Sequence, residues 1–260
     1  MKKLIIAASC ALAMASGVAQ AQESSSVAEG TEPRHLRIAF DVPYEPFEYK
    51  DENGELTGFE VELADAMCEQ MNASCQFVTQ AWDGMIPGLL ARKFDLIMSS
   101  MSITPERAER VLFSEPYYNT PGGWFGPESF NTDVTDMAAM EGMTVGVQRG
   151  TTMDTFVTEK MGGVVTIKRY TTADDMVLDL EGQRLDVVFV DYPVGEQTVL
   201  SKDGFKEVGE PVKLGQGVGV AMRKRDEDLA QEVNEALATL KEDGTYDTIM
   251  EKYFAYDIKM

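Results

Sequence analysis

The 260-residue chain predicts an α/β fold in two lobes, and three observations carry that expectation. Strand-like and helix-like patterns alternate, which is the signature of βαβ units and mainly parallel sheets. The alternation falls into two consecutive series that part at Pro121-Gly122-Gly123. Polar residues (Asp41, Ser99, Asp191) stand at the carboxyl ends of apolar strands, where open α/β sheets hold their ligands.

Residues 1–21 read as a secretory signal. Lys2 and Lys3 give a positive start, Leu4 to Ala15 an apolar stretch, and Ala19-Gln20-Ala21 a small-x-small cleavage site. The stretch is shorter than the roughly 20 residues that span a bilayer, which argues against an anchor. Cys10 offers a lipoprotein reading as the lesser alternative. Residues 22–34 are small and polar and predict a disordered leader.

The first series then begins. Leu36 to Phe40 predicts a strand running into Asp41, and Phe59 to Met67 a helix, its apolar residues spaced three and four apart. Gln76 to Val78 is a strand, Ile86 to Arg92 a helix and Phe94 to Met98 a strand. In the second series Met143 to Val147 is a strand, and Gly150-Thr151-Thr152 turns into a helix through about Met161. Val164 to Lys168 is a strand, Thr171 to Glu181 a helix, and Leu185 to Val190 a strand ending at Asp191. A short strand, Val218 to Met222, and two helices, Asp226 to Lys241 and Thr245 to Tyr253, close the chain.

Removal of the signal leaves 239 residues with 21 basic against 44 acidic side chains, a formal charge near −23. Such a surface repels nucleic acid and anionic lipid and removes both as partners. Cys68 and Cys75 survive processing, and an even count in an exported chain implies one disulfide; two free buried thiols are the alternative. Seven residues of one helix would separate them by about 10 Å, beyond bonding reach. The helix therefore has to stop near Asn72 and the chain turn back toward Cys75. With a single histidine, His35, near the leader, no metal site is expected, and no cofactor.

The stretch Phe94 to Tyr118, FDLIMSSMSITPERAERVLFSEPYY, carries the most chemistry. An apolar run delivers Ser99, Ser100 and Ser102, followed by Thr104-Pro105-Glu106-Arg107. Thr104 suits a helix cap and Pro105 the first turn, which sets Arg107 beside the hydroxyls. A guanidinium there can bind a carboxylate with two parallel hydrogen bonds.

This segment resembles the ligand-binding core of family 3 periplasmic solute-binding proteins, which feed polar amino acids to ABC importers. Further landmarks are Tyr44-x-Pro46-Phe47, Gly58-Phe59-Glu60-Val61, the cysteine pair, Val145-Gly146-Val147-Gln148-Arg149-Gly150-Thr151, Asp243-Gly244-Thr245-Tyr246-Asp247 and Lys252-Tyr253-Phe254. The likeness runs from Leu36 to Phe254, and within the family it is greatest to the lysine/arginine/ornithine and histidine binders. It implies a type II periplasmic-binding-protein fold in which the chain crosses twice between lobes, near Asn119 to Pro121 and Pro211 to Gly217. Residues 35–120 and 213–260 would form one lobe, and 121–212 the other.

The resemblance also implies roles. Arg107 would hold the α-carboxylate of a free amino acid, with Ser102 and the helix start at Gly150-Thr151-Thr152, whose N–H groups favour an anion. Asp191 would take the α-ammonium, with Ser100 as a second acceptor. Tyr44 and Trp82 would sandwich the aliphatic part of the side chain, and Asp41 would meet a cationic end. Ser99 and Gln148 are similar to the residues of the basic-amino-acid binders. Each has a plainer reading too: Arg107 paired with Glu106 or Glu109, Asp191 capping a helix announced by Pro193, Thr151 and Thr152 as ordinary caps, Trp82 in a core. Three positions depart from the pattern. Met153 replaces a polar residue, Glu45 a small one, and Leu214-Gly215-Gln216-Gly217 lacks a tyrosine-phenylalanine pair.

The function so implied is a monomeric, non-catalytic periplasmic receptor that docks on the membrane subunits of an ABC permease. Glutamine, another polar amino acid or an opine is the alternative ligand, since glutamine binders also carry an aspartate at the place of Asp41. Exported cyclohexadienyl dehydratases share the fold, with Asp41 or Glu45 as the candidate general acid. A sensory module acting through a partner is the third possibility.

Overall fold

The computed structural model describes residues 33–260. The expected signal and Cys10 lie outside the described residues, as does the leader up to residue 32. Arg34, expected in the leader, already belongs to a strand.

In chain order the elements are β1 (Arg34–Phe40), a hairpin of β2 (Tyr49–Lys50) and β3 (Leu56–Thr57), α1 (Phe59–Gln70) and β4 (Ala73–Thr79). A 3-10 turn at Trp82–Gly84 leads to α2 (Met85–Leu90), β5 (Leu96–Ile97), α3 (Pro105–Arg110) and β6 (Leu112–Phe113). Next come β7 (Gly122–Pro127), β8 (Thr144–Gln148), α4 (Thr152–Met161), β9 (Thr166–Tyr170) and α5 (Ala173–Glu181). The chain continues through β10 (Val187–Asp191), α6 (Tyr192–Thr198), β11 (Phe205–Glu207), β12 (Ala221–Met222), α7 (Glu227–Glu242) and α8 (Thr245–Met250).

Two five-stranded sheets result, with strand orders β4-β1-β5-β12-β6 and β11-β7-β10-β8-β9. Each has a parallel trio, β4-β1-β5 and β10-β8-β9, joined to antiparallel neighbours. The sheets are thus mixed rather than mainly parallel, because the strands that receive the chain after each crossing pair antiparallel. The chain passes from the first sheet to the second between β6 and β7 and returns between β11 and β12. The two connections touch, with reciprocal Gly122–Val212 hydrogen bonds of 2.8 Å and a Val218 N–H donating to Tyr118 O at 2.8 Å.

Alternation along the strands fills cores on both faces of each sheet, as a period of two requires. Ile38, Phe40, Leu96, Val220 and Met222 join the core under α1, α7 and α8, while Ala39, Ile97 and Ala221 meet Met85, Leu89 and Phe94 on the opposite face. In the second sheet Val188 and Val190 pack toward α5, and Val187, Phe189, Val145 and Val147 surround Trp124.

The Gly122-Gly123 pair expected to mark a break lies within β7. Glycine is required there for close approach: a Cβ on Gly122 would meet the Phe189 ring at 2.7 Å, and one on Gly123 the Phe125 ring at 2.7 Å. Period-two signals vanish where side chains are absent, which hid this strand.

Helix α1 stops at Met71, and Asn72 adopts a left-handed backbone (φ 48°) that turns the chain into β4, a conformation asparagine tolerates. Cys68 and Cys75 are bonded, their Cα atoms 6.2 Å apart. Replacing both by serine is expected to cost about 2–3 kcal/mol, the loop-closure value for so short a loop. In a domain of this size that lowers the melting temperature by about 5–10 °C. Thermal unfolding of the ligand-free protein measures it, and an unchanged midpoint contradicts it.

Candidate functional site

Four strands that end near the gap between the sheets each deliver a polar residue to one cavity. Asp41 follows β1, Ser99 and Ser100 follow β5, Gln148 ends β8 and Asp191 ends β10. Two short helices begin there as well. Thr104 caps α3 by accepting from Arg107 N at 3.2 Å, with Pro105 in the first turn, and Thr151 caps α4 by accepting from Asp154 N at 3.1 Å. Leading N–H groups of a helix have no acceptor within it, so α4 leaves those of Thr152 and Met153 to other partners.

The cavity is lined by Asp41, Tyr44, Trp82, Ser99, Ser100, Ser102, Arg107, Gln148, Thr151, Thr152, Met153 and Asp191. All eleven residues singled out from the sequence are brought together here, and Met153 joins them. The cavity adjoins an open groove that includes Trp82, Glu106, Arg107, Arg110, Phe156 and Leu214. Glu45 lies outside both and accepts from Gln197 at 3.2 Å near the surface.

Among the described residues Arg107 makes no ion pair. Its guanidinium donates to Ser102 O at 2.9 Å and to Gly150 O, across the gap, at 3.2 Å, and it lies 5.2 Å from the centre of the Trp82 ring. Burial pushes its pKa down to about 10, so it remains cationic at neutral pH. Pairing with Glu106 or Glu109 along its own helix does not occur.

Asp191 accepts from Tyr44 Oη at 2.6 Å and from Thr120 Oγ1 at 3.3 Å. Burial pushes its carboxyl up to about 7, against those hydrogen bonds and the pull of Arg107. Although α6 starts right after it, Asp191 makes no side-chain cap, so the capping alternative fails. Asp41 accepts from Gln148 Nε2 at 2.6 Å, a bond that also crosses between the sheets. Burial raises its carboxyl to about 6, opposed by Gln148 and by the Trp82 backbone.

Sequence reasoning missed the layer behind the serines. Glu48 and Glu60 are completely buried there, with Tyr117 and Tyr118 beside them. Both glutamates sit in the motifs Tyr44-x-Pro46-Phe47 and Gly58-Phe59-Glu60-Val61 or next to them. The available signal was an acidic residue among aromatic and apolar neighbours. Among the described residues no cluster of His, Cys, Asp and Glu could hold a metal ion, and no helix is long and apolar enough to cross a membrane.

Comparison with known proteins adds to this geometry. Residues 36–256 match the sequence model of the bacterial extracellular solute-binding proteins, family 3. The chain is 37% identical over 231 residues to the L-arginine-binding protein of Pseudomonas aeruginosa, covering 86% of this chain and 89% of that one. It is 34% identical over 266 residues to the histidine-binding periplasmic protein of Escherichia coli K12, covering 99% of each. Among solved structures, an ancestral arginine-binding protein bound to arginine superposes with a TM-score of 0.80 at 33% identity, covering 86% of this chain and all of that one.

Proposed function

The chain belongs to the family 3 bacterial extracellular solute-binding proteins, and on that premise we propose that it is the periplasmic receptor of an ABC importer for L-amino acids with a cationic side chain. One observation carries the ligand class. The cavity lining holds two carboxylates, Asp41 and Asp191, and one cation, Arg107. A zwitterion adds no net charge to that set, whereas a zwitterion with a cationic side chain supplies the one positive charge it lacks.

The names of the relatives, arginine- and histidine-binding, support the same class. In this assignment Arg107, Ser102 and the start of α4 hold the α-carboxylate. Asp191 and Ser100 take the α-ammonium, Asp41 meets the distal cation, and Tyr44 and Trp82 flank the methylenes. Residues 35–120 with 213–260 and residues 121–212 act as two lobes. A ligand touching both only when they are shut shifts the population toward the closed form, which then docks on permease membrane subunits. The expected signal at residues 1–21 would direct the protein to the periplasm, and it performs no chemistry on its cargo.

A thermal-shift panel over free amino acids tests the assignment. Arginine, lysine, ornithine or histidine at 100 times its dissociation constant is expected to add about 2.7 kcal/mol, raising the melting temperature by about 5–10 °C. Glutamate is expected to leave it unchanged. A larger shift with glutamate or glutamine than with any basic amino acid rejects the charge-balance argument.

A further inference from the structure

Glu48 and Glu60 form a second set of acids that no binding role absorbs. Both are fully buried. Glu48 Oε1 accepts from the Ser99 hydroxyl, and Glu60 accepts from the Tyr117 hydroxyl through Oε1. Glu60 Oε2 accepts from the Ser100 backbone N–H at 2.6 Å and from the Ser100 hydroxyl at 3.3 Å. Among the described residues no lysine or arginine bonds to either glutamate. Glu48 Oε2 is buried with no hydrogen-bond partner among the described residues, and the two carboxyl groups are close enough that each shifts the titration of the other. Two carboxylates so placed hold one proton between them. Burial drives both upward, Glu48 well above the usual carboxylate range, and their mutual repulsion adds to the rise of Glu48.

The consequence falls on the serines. A hydroxyl has one proton to give and two lone pairs. Ser99 gives its proton to Glu48 and accepts from Asp41 N at 2.8 Å. Ser100 gives its proton to Glu60 and accepts from Tyr118 Oη at 2.8 Å. Each therefore has one lone pair and no proton left for anything entering the cavity. The left-handed Ser100 backbone (φ 50°) is an uncommon conformation for serine, held by its N–H on Glu60. Gln148 is spent in the same sense, both of its amide bonds going to Asp41 and Thr171 O.

We propose that Glu48 and Glu60 are positioning residues that lock the Ser99 and Ser100 hydroxyls as hydrogen-bond acceptors, so that this side of the cavity accepts donor groups and refuses acceptor groups. A glutamine at either position would not impose this, because its amide can donate and let the hydroxyl turn round. The device selects N–H-rich cargo at two points, a distal cation near Ser99 and an α-ammonium near Ser100. It rests on the amino-acid reading of the cavity given above.

Calorimetry on the full mature protein and two variants tests it. For Glu48→Gln the ligands are arginine and citrulline, which replaces a guanidinium nitrogen by an acceptor oxygen. The preference for arginine is expected to fall at least tenfold. For Glu60→Gln the ligands are arginine and its 2-oxo analogue, which replaces the ammonium by an acceptor oxygen, and the preference for the ammonium is expected to fall likewise. A merely structural role weakens both ligands of a pair equally, and that result overturns the proposal. Infrared spectroscopy of the wild-type protein keeps the question decidable should the variants not fold. A buried protonated-carboxyl band that persists at pH 9, above the range in which Asp41 and Asp191 titrate, is expected, and its absence overturns the shared-proton lock. Wild-type protein that binds no basic amino acid fails before any variant is made; that result removes the cavity assignment and this proposal with it.

Discussion

Arg107→Ala is expected to weaken binding of every amino acid by about a thousandfold or more. Among the described residues that line the cavity, the guanidinium is the single cation. Removing one partner of a buried ion pair costs about 3–5 kcal/mol, since the other charge is left desolvated and alone, and 4 kcal/mol is close to a factor of a thousand. Loss of the fork should act alike on lysine, arginine and histidine, because the α-carboxylate is common to all. The ligand-free variant should still fold, as among the described residues the Arg107 guanidinium hydrogen-bonds to two carbonyl oxygens, Ser102 O and Gly150 O. Calorimetric titration measures the loss, and circular dichroism checks the fold. Arg107→Lys keeps the charge but not the bidentate geometry and should fall between the two. Affinity within tenfold of wild type in the alanine variant would falsify the carboxylate role.

Asp41→Asn should act on choice of ligand rather than on binding as such. Losing a charge-assisted hydrogen bond in a buried setting costs about 1.5–3 kcal/mol, or roughly 10- to 100-fold in affinity for arginine or lysine. Neutral side chains should lose little. The same carboxyl should make affinity depend on pH. Burial raises Asp41 from 3.8 to about 6 and Asp191 from 3.8 to about 7. An acid whose folded pKa exceeds its unfolded value favours the folded protein while protonated. The ligand-free protein therefore loses stability from these groups as pH rises from about 4 through 7.

A bound cation reverses that trend by holding both carboxylates ionised, so binding releases protons and arginine affinity climbs through the same window. Each group can contribute at most tenfold per pH unit. Titration at pH 5, 6, 7 and 8 in buffers of different ionisation enthalpy reads both slope and proton count. The asparagine variant should retain only the portion due to Asp191. A wild-type affinity that is flat from pH 5 to 8 contradicts the assignment of both carboxylates.

Much of this site was legible because its residues lie at element boundaries with local chemical signals. Thr104 and Thr151 are caps written in their own sequences, and the serines and Asp191 end apolar strands. Helix limits shifted by a residue or two, as for α2, which spans Met85–Leu90 where Ile86 to Arg92 was expected. The hairpin β2–β3 and strands β6 and β11 went unread because two or three residues display no period. Strand β7 went unread because its glycines answer to distant rings, Phe189 and Phe125.

Local pattern was sufficient for the α/β class, the cysteine partnership and the inventory of polar groups at strand ends, because each depends on neighbours a few positions apart. Hydrogen bonds across the gap, Tyr44 to Asp191 and Gln148 to Asp41, join residues separated by 147 and 107 positions, and no periodicity encodes such a distance. The burial that raises Asp41 and Asp191, and that sets Glu48 against Glu60, has the same origin. Desolvation depends on everything packed around a group, and only the assembled sheets bring those atoms together.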